Sequence, residues 1–477
     1  MKEFITLKIE DFGPFESAEV RLKPLTIFIG RNSVGKSMLM RLALVSTFIN
    51  SWLRGLRFAA DLIMESLSLD SRGGHSLTTI AKILDSVGKG FKPSDLDVRN
   101  AIKSYAEVLW NIFEESLADE VRRVFGSDLG DLIRVYKERA RVITSTSKGS
   151  IEVSLEKERV RVTPLTRNLN EVLDNVVVEV PQPKILTLKY GNVSVSQFID
   201  SPSDIAYLFS DFIVKSLGLL EVWGEEGIET LYLPDSRAGV IRLTLYSYLR
   251  GESYPRSSSI GDILDRAFMH YLLRFARRLS SGYVLPRAIE EFLNELLCSD
   301  ECLEVVKIGD IKTPIIYVKT KTGRKVPLHQ APSGIRESIV LVLSLTTSGI
   351  GVPNIIFIEE PEAHLHPRAI TKLARLIGLG VNNGKKVIIS THSDYLLESI
   401  NNLISLSKVK EKAEKYGFNE NEVIDPGSVA AYLVKFEGGK SVVKELEVTD
   451  KGILEEEFSE VAKELADQRA WIYYESS

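Results

Sequence analysis

Cysteine is scarce, with two in 477 residues, Cys298 and Cys302. Two thiols exclude a disulfide framework. The segment "CSDEC" has no histidine beside it, so the further ligands of a metal clip are missing and the pair reads as ordinary thiols. Long apolar runs are also missing. No stretch reaches the roughly 18 apolar residues of a membrane span. The N-terminal "MKEFITLKIEDFGPF" alternates polar with apolar residues and lacks the apolar run of a secretory leader. The expectation is a cytoplasmic protein with no membrane partner. Nor does one sign of charge dominate: 60 Lys and Arg stand against 65 Asp and Glu, a formal net charge of -5. That excludes a chain coated all over with nucleic acid and leaves room for a local basic groove. Glutamine occurs only at positions 182, 197, 330 and 468. Beside abundant Lys and Glu, this is a bias shared with thermophile proteins. What is present is a composition 44% hydrophobic and 26% charged. It can fill a full core, and the length suits one large domain with insertions or two to three domains.

Periodicity sketches the order of elements. Residues 3–10 and 18–23 form a strand pair around the turn "DFGPFE". "PLTIFIG" is a short buried strand, and a helix runs from about Met38 to Leu56. Residues 57–135 are mostly helical; Ile102, Tyr105, Val108, Leu109, Ile112 and Phe113 make a core-facing stripe. Short strands follow over 139–163 and 176–198, with turns at "TSKGS" and "KYGN". Helices are expected over 203–222 and 260–297, with the strand and Pro-Asp turn of "IETLYLPDSRAG" between them. Three short strands occupy 303–328. After them come a helix from "SGIRESIVLVLSLTT", buried strands at "NIIFIEE" and "KKVIISTH" around the helix "PRAITKLARLIGLGVN", a hairpin at 430–448 and a last helix near 453–468. Lys89, Lys92, Arg122, Arg123, Arg134, Lys137, Arg139 and Arg141 form a basic row, read as a solvated surface interleaved with acids rather than as a binding face.

"GRNSVGKS" satisfies G-x-x-x-x-G-K-S in full, between a buried strand and a helix. Its residues Gly30, Arg31, Asn32, Ser33, Val34, Gly35, Lys36 and Ser37, with Met38 next, are the candidate phosphate cradle. Glycines let backbone N–H groups converge on phosphate, and the helix start adds its dipole. Lys36 has the reach for β- and γ-phosphates, and the Ser37 hydroxyl can ligate Mg²⁺. "IIFIEEPEAHLHPR" allows two readings. Carboxylates with the H-x-H pair His364 and His366 suit a metal site. Alternatively, Glu359 serves the Mg²⁺ hydration shell and Glu360 polarises the attacking water. The presence of a phosphate loop, which needs an acidic strand as partner, favours the second.

Two further segments set a class. "PSGIRE" opens a helix ahead of the acidic strand, and "VIISTHSD" ends a strand at His392 after it. This order resembles ABC-type ATPases of the SMC, RecF and OLD kind, above all stand-alone AAA-type ATP-binding proteins with an "EEPEAHLHP" segment. The resemblance covers about residues 1–45 and 225–450. It implies an α/β P-loop NTPase fold, an ABC-type ATPase head with a mixed sheet and a helical lobe or insertion. It implies ATP and Mg²⁺ as cofactors and an ATP-dependent homodimer. Ser333, Gly334 and Arg336 would contact the γ-phosphate of ATP on the other subunit. Ala363–His366 would form the loop crossing the dimer interface, which makes His364 and His366 interface or strand-capping residues rather than metal ligands. His392 would be the γ-phosphate switch. The expected catalytic set is Glu360, His392 and Lys36; the expected metal set is Ser37 and Glu359.

The pattern is broken in three places. Ile335 replaces the second signature glycine, Glu359 stands where transporter relatives have Asp, and no glutamine loop is obvious. Gln197 in "VSVSQF" is one substitute. Arg237 in "YLPDSRAG" is another, resembling a Pro-x-x-Arg segment of the stand-alone families, with a surface salt bridge as its alternative. "VKFEGGKS" is expected to be a hairpin turn and not the start of a nuclease domain, since too little chain follows. The division expected is 1–56 with 301–477 as the ATPase core and 57–300 as a mainly helical insertion, of which 225–240 returns to the core. The function implied is a nucleotide-timed switch acting on DNA or an effector protein, of repair or anti-phage defence type. The alternative is an ATP-binding scaffold with negligible hydrolysis.

Overall fold

The computed structural model describes residues 4–55, 73–147, 149–218, 230–235, 237, 291–293, 298–306, 315–320, 322–346, 354–454 and 457–475. The helices expected over 57–72 and 260–290 lie outside these residues. The chain divides into two compact units, Met1–Arg21 with Arg41–Glu226, and Leu22–Met40 with Gly227–Ser477.

In the first unit β1 (Ile5–Phe12) and β2 (Phe15–Leu22) run closer to the turn than the expected 3–10 and 18–23, because Gly13 and Pro14 alone make it. Gly13 takes a positive φ of 51° there. Strands β4 (Ala140–Ser145), β5 (Ser150–Leu155) and β6 (Val160–Pro164) continue outward from β1 in the order β2-β1-β4-β5-β6, and the pairs from β1 to β6 are antiparallel. Helix α2 spans Gly73–Gly88. Helix α3 (Asp95–Phe125) starts at Ser94, whose side chain accepts from Asp97 N, and stops at Gly126 in the left-handed conformation. Its buried stripe holds Ile102, Tyr105, Leu109 and Phe113 and runs on through Leu117, Val121 and Val124. On the same helix, Trp110 Nε1 donates to Val162 O at 2.9 Å and Glu114 accepts from Val162 N at 2.8 Å, on the outermost strand β6. Short α4 (Leu169–Asp174), a meander of β7 (Val177–Gln182), β8 (Ile185–Tyr190) and β9 (Val193–Phe198), and α5 (Pro202–Ser216) complete the described unit. Gln197 lies in β9, paired with Leu186 of β8. The basic row is interleaved with acids: Lys89 meets Asp85, Lys92 meets Asp95, Arg122 meets Asp119, Lys137 meets Asp11, and Arg141 meets both Glu10 and Glu152.

In the second unit five parallel strands lie in the order β10 (Thr230–Leu233), β14 (Ile355–Glu359), β15 (Lys386–Thr391), β3 (Leu25–Ile29) and β16 (Val429–Glu437). Antiparallel β17 (Lys440–Leu446) pairs with β16, so the sheet is mixed. Each of β3, β14 and β15 is an unbroken or nearly unbroken buried run, as strands covered on both faces require. Leu25, Ile27, Ile29, Ile356, Ile358, Val387 and Ile389 share one core with α6 (Ser333–Thr346), α7 (Pro367–Asn382) and α8 (Asp394–Ser405). Strands β11 (Cys298–Val306), β12 (Ile315–Thr320) and β13 (Lys325–Pro327) form a separate antiparallel sheet. "FEGGKS" is the turn of the β16–β17 hairpin, with Glu437 opposite Lys440 and both glycines at positive φ, as a tight two-residue turn demands. Helix α9 spans Glu457–Glu475. No helix among the described residues is long and apolar enough to cross a membrane.

Candidate active site

The strand register aligns the expected residues at one edge of the parallel sheet. Glu359 pairs with Ser390, Ser390 with Phe28, and Thr391 with Ile29. One step further along each strand stand Glu360, His392 and Gly30, all at carboxyl ends, where parallel α/β sheets place their ligands.

From β3 the chain enters the loop Gly30–Gly35 and then α1 (Lys36–Gly55). Gly30 has φ +150°, and a Cβ there would lie 2.2 Å from Val434 O of the neighbouring strand. Only glycine fits. Ser33 and Gly35 also take positive φ, so the loop curls on itself. Lys36 is buried, and its Nζ donates to Gly30 O and Arg31 O at 2.6 Å each. Arg31, Asn32, Ser33 and Ser37 are exposed, Met38 is half-buried and Val34 anchors the loop inward. The result is a glycine-built ring with an ammonium folded into it at a helix N-terminus, which suits a phosphate chain.

The acidic strand ends in a tight double turn. Ala363 N donates to Glu360 O and Leu365 N to Glu362 O, both at 3.0 Å. Glu359 is buried and accepts from Tyr232 OH at 2.6 Å. Glu360 has φ +42°, a strained region for a residue with a side chain, costing about 1–3 kcal/mol. Its N–H is held by Ser390 O at 3.0 Å. Its carboxylate lies 3.2 Å from Nδ1 of His392. Thus the acid and the histidine expected to act on the same phosphate meet directly.

The two histidines of the H-x-H pair do different things. His366 caps α7, its Nδ1 accepting from Arg368 N at 3.3 Å. This is a helix cap, where a strand cap was one of the two roles expected. His364, at φ +62°, places Nε2 3.5 Å from Glu337 Oε1. Among the described residues no group of three or more His, Cys, Asp or Glu is arranged to hold a metal.

Three participants escaped the sequence reading. Glu362 is buried, and its Oε1 accepts from Thr391 Oγ1 at 2.6 Å and from His392 N at 3.2 Å, so it fixes the chain on which His392 stands. Burial pushes its carboxyl above the usual range, while those hydrogen bonds pull the other way. Tyr232 orients Glu359. Glu337, four residues after Ser333 on α6, is buried beneath the signature segment. The surface-salt-bridge alternative for Arg237 is overturned. Arg237 is fully buried, and NH1 donates to Glu359 O at 2.6 Å and Pro234 O at 2.8 Å, while NH2 donates to Glu360 O at 3.1 Å and Glu337 Oε2 at 3.3 Å. Its hydrogen bonds go to backbone and to an acid. Burial pulls its proton affinity down, opposed first by the Glu337 charge.

Ser333 and Gly334 begin α6 half-buried, and a Cβ on Gly334 would lie 3.2 Å from His364 O. The expected signature segment and the expected interface loop therefore pack on one another. Arg336 NH1 donates to His329 O at 3.3 Å. Ile335 is buried in the core, so its side chain does not crowd the exposed side of the helix end. Glu359 and Ser37 supply the carboxylate and hydroxyl that Mg²⁺ takes, and the glycine-built loop has the form of a phosphate cradle, so these residues fit ATP with Mg²⁺.

Residues 286–397 match the family model described as an AAA ATPase domain, a span that holds Ser333, Glu359, Glu360 and His392. Among curated proteins none matches the chain. Similar solved structures include an SMC head bound to the C-winged helix domain of ScpA, 11% identical, covering 93% of this chain and 97% of that one, TM-score 0.40. The SMC head domain from Thermotoga maritima is 10% identical, covering 93% and 99%, TM-score 0.34. An Smc head domain with an extended coiled coil bound to the C-terminal domain of ScpA derived from Pyrococcus furiosus is 11% identical, covering 98% and 100%, TM-score 0.39. Such distant likenesses transfer no residue role and no partner. Residues 286–397 are thus similar to an AAA ATPase domain, and the local geometry is that of an α/β P-loop fold with a mixed sheet.

Proposed function

We propose that the protein is a Mg²⁺-dependent ATPase that dimerises around two ATP molecules and thereby switches an activity on DNA or on an effector protein, of repair or anti-phage defence type, in the cytoplasm. The observation that carries the catalytic part is the Glu360–His392 contact of 3.2 Å at the strand ends beside the phosphate loop. ATP is the substrate. Loop N–H groups of Gly30–Ser37 and the Lys36 ammonium hold its β- and γ-phosphates. Ser37 and Glu359 would hold Mg²⁺, which neutralises charge on the phosphate oxygens. Glu360 takes a proton from water as the water oxygen attacks γ-phosphorus, and the bond to the β–γ bridging oxygen breaks to release ADP. His392 keeps Glu360 aimed, and its other ring nitrogen is a candidate donor to the γ-phosphate.

Ser333, Gly334 and Arg336 serve the second subunit. α6 is a 14-residue helix that begins at Ser333, so a hydroxyl stands at its positive end. In its own subunit it would duplicate the phosphate loop; against another subunit's γ-phosphate it makes ATP the bond between two surfaces. The alternative is an ATP-binding scaffold with negligible hydrolysis, which Ile335 in place of the second signature glycine favours; its side chain is buried in the core.

Light scattering after gel filtration tests the dimer. The Glu360→Gln protein is expected to be monomeric without nucleotide and dimeric with Mg-ATP. Adding Ser333→Arg is expected to abolish the dimer while each monomer still binds ATP. A monomer saturated with ATP in the Glu360→Gln protein refutes the shared site.

A further inference from the structure

Arg237 is fully buried and Glu337 nearly so. A buried guanidinium is costly unless its charge is balanced and most of its donors are met. Here Nη1 and Nη2 donate to three separate segments: Pro234 after β10, the carbonyls of Glu359 and Glu360 at the exit of β14, and Glu337 on α6, while Nε has no hydrogen-bond partner. Glu337 follows Ser333 by one helical turn and so lies on the same face of α6. Its other carboxylate oxygen faces His364 Nε2 at 3.5 Å, on the loop that packs against Gly334. One carboxylate thus joins the signature helix, through Arg237, to the backbone of both catalytic-edge acids.

Two properties make this more than packing. The acceptors on β14 are the carbonyls of the acid pair themselves, so displacing the guanidinium rotates the peptides that aim those side chains. Glu360 is also the residue held at φ +42°, a conformation that relaxes when its restraints are released.

We propose that Arg237 and Glu337 are positioning residues that tether the N-terminal turn of α6 to the Glu359–Glu360 pair, so that phosphate engaged at Ser333–Arg336 sets the aim of Glu360 in the same subunit. This rests on the ATPase reading above and extends it. In a dimer each ATP is held by one subunit and touched by the α6 end of the other. Binding at one site therefore aligns the acid of the other, and the two sites hydrolyse cooperatively. Arg237 does this from a fully buried position, through its contacts to backbone carbonyls and to Glu337.

The test compares full-length wild type with Glu337→Gln, which keeps shape and an acceptor but removes the charge, and with Arg237→Lys, which keeps charge but loses the fork. ATP affinity, kcat, the Hill coefficient for ATP and the melting temperature are measured for each. Both variants are expected to bind ATP with wild-type affinity, to lose about tenfold or more in kcat, and to fall from a Hill coefficient above one to one. Glu337→Asp, the gentlest change, is expected to recover part of both and serves if the other two do not fold. Wild-type kcat and Hill coefficient in the folded variants overturn the tether. So does a loss in which affinity, kcat and melting temperature fall together at an unchanged Hill coefficient, and so does a wild type whose Hill coefficient is already one. A wild type that binds no ATP, or binds as well after Lys36→Ala, overturns instead the ATPase reading on which the tether rests.

Discussion

The two edges of the parallel sheet in the second unit are built differently. At the amino edge the chain enters its strands through plain backbone bonds: Val387 N donates to Pro24 O at 2.7 Å and Lys386 N to Asn354 O at 2.8 Å. At the carboxyl edge Gly30 and Glu360 take positive φ, Arg237 is spent on backbone carbonyls, and Glu359, Glu360 and Glu362 each have a named side-chain or hydroxyl partner. Helices α1, α7 and α8 follow directly on β3, β14 and β15, so their positive ends gather at this same edge. The amino edge is closed by ordinary backbone bonds. The carboxyl edge concentrates strain and charge, as a functional site does.

The sharpest way to break this contrast is to remove the reactive group. Glu360→Gln is expected to lower kcat by about 10²–10⁴ while ATP still binds, read by phosphate release beside a nucleotide titration. Wild-type turnover would remove Glu360 from the mechanism. Next comes support rather than chemistry. Arg237→Ala leaves Glu337 buried without its guanidinium, an expected loss of about 3–5 kcal/mol in chemical denaturation. Lys36→Ala removes a charge-assisted phosphate contact, an expected loss of about 1.5–3 kcal/mol in ATP affinity, measured with a fluorescent analogue. Equal affinity would sink the phosphate-loop assignment.

The amino edge is expected to respond in the opposite sense. Lys385, just ahead of β15, is buried, and burial pulls its ammonium down to about 8. The unfolded chain keeps that proton to a pH of roughly 10.4. Between these values the unfolded state binds more protons, so stability is expected to rise as pH is raised from about 8 toward 10. Lys385→Met removes the cost of the buried charge and is expected to stabilise the protein at pH 7 by on the order of 1–2 kcal/mol, with a flatter pH profile in thermal melts. The smallest effect is expected from Arg141→Ala in the first unit. Arg141 pairs with Glu152 at 2.6 Å and Glu10 at 2.9 Å, yet all three are partly exposed, so about 0.2–1 kcal/mol is expected. Two arginine–glutamate clusters of similar geometry would then differ several-fold in effect, through burial alone.

Local signals made the phosphate loop, the acidic strand and His392 legible. Each is a short run whose residue types carry the meaning: glycines that must curl, an apolar run ending in acids, a strand ending in Thr-His. The elements of α3 and of the β16–β17 hairpin were legible for the same reason, a clear period or a Gly-Gly turn. What was not legible is long-range. Arg237 is 100 residues from Glu337 and 122 from Glu359 in sequence, and a lone arginine after a Pro-Asp turn has the look of a surface residue. Glu362 reads as one more acid in a polar loop until the turn after β14 folds it under Thr391. Nothing in the alternation of β4–β6 says that they extend the sheet begun by β1, because antiparallel strands carry the same period whichever neighbour they choose.

The outer strand of the first unit has its own consequence. Sheets that end in bare backbone invite a foreign strand, and aggregation begins there. In β6 the outward-facing N–H and C=O of Val162 are already taken by Glu114 and Trp110 from the helix laid across it. Two side chains thus imitate the next strand at the middle of the edge and leave no continuous ladder to copy. That plug is built from the first unit's own side chains and needs no nucleotide to form.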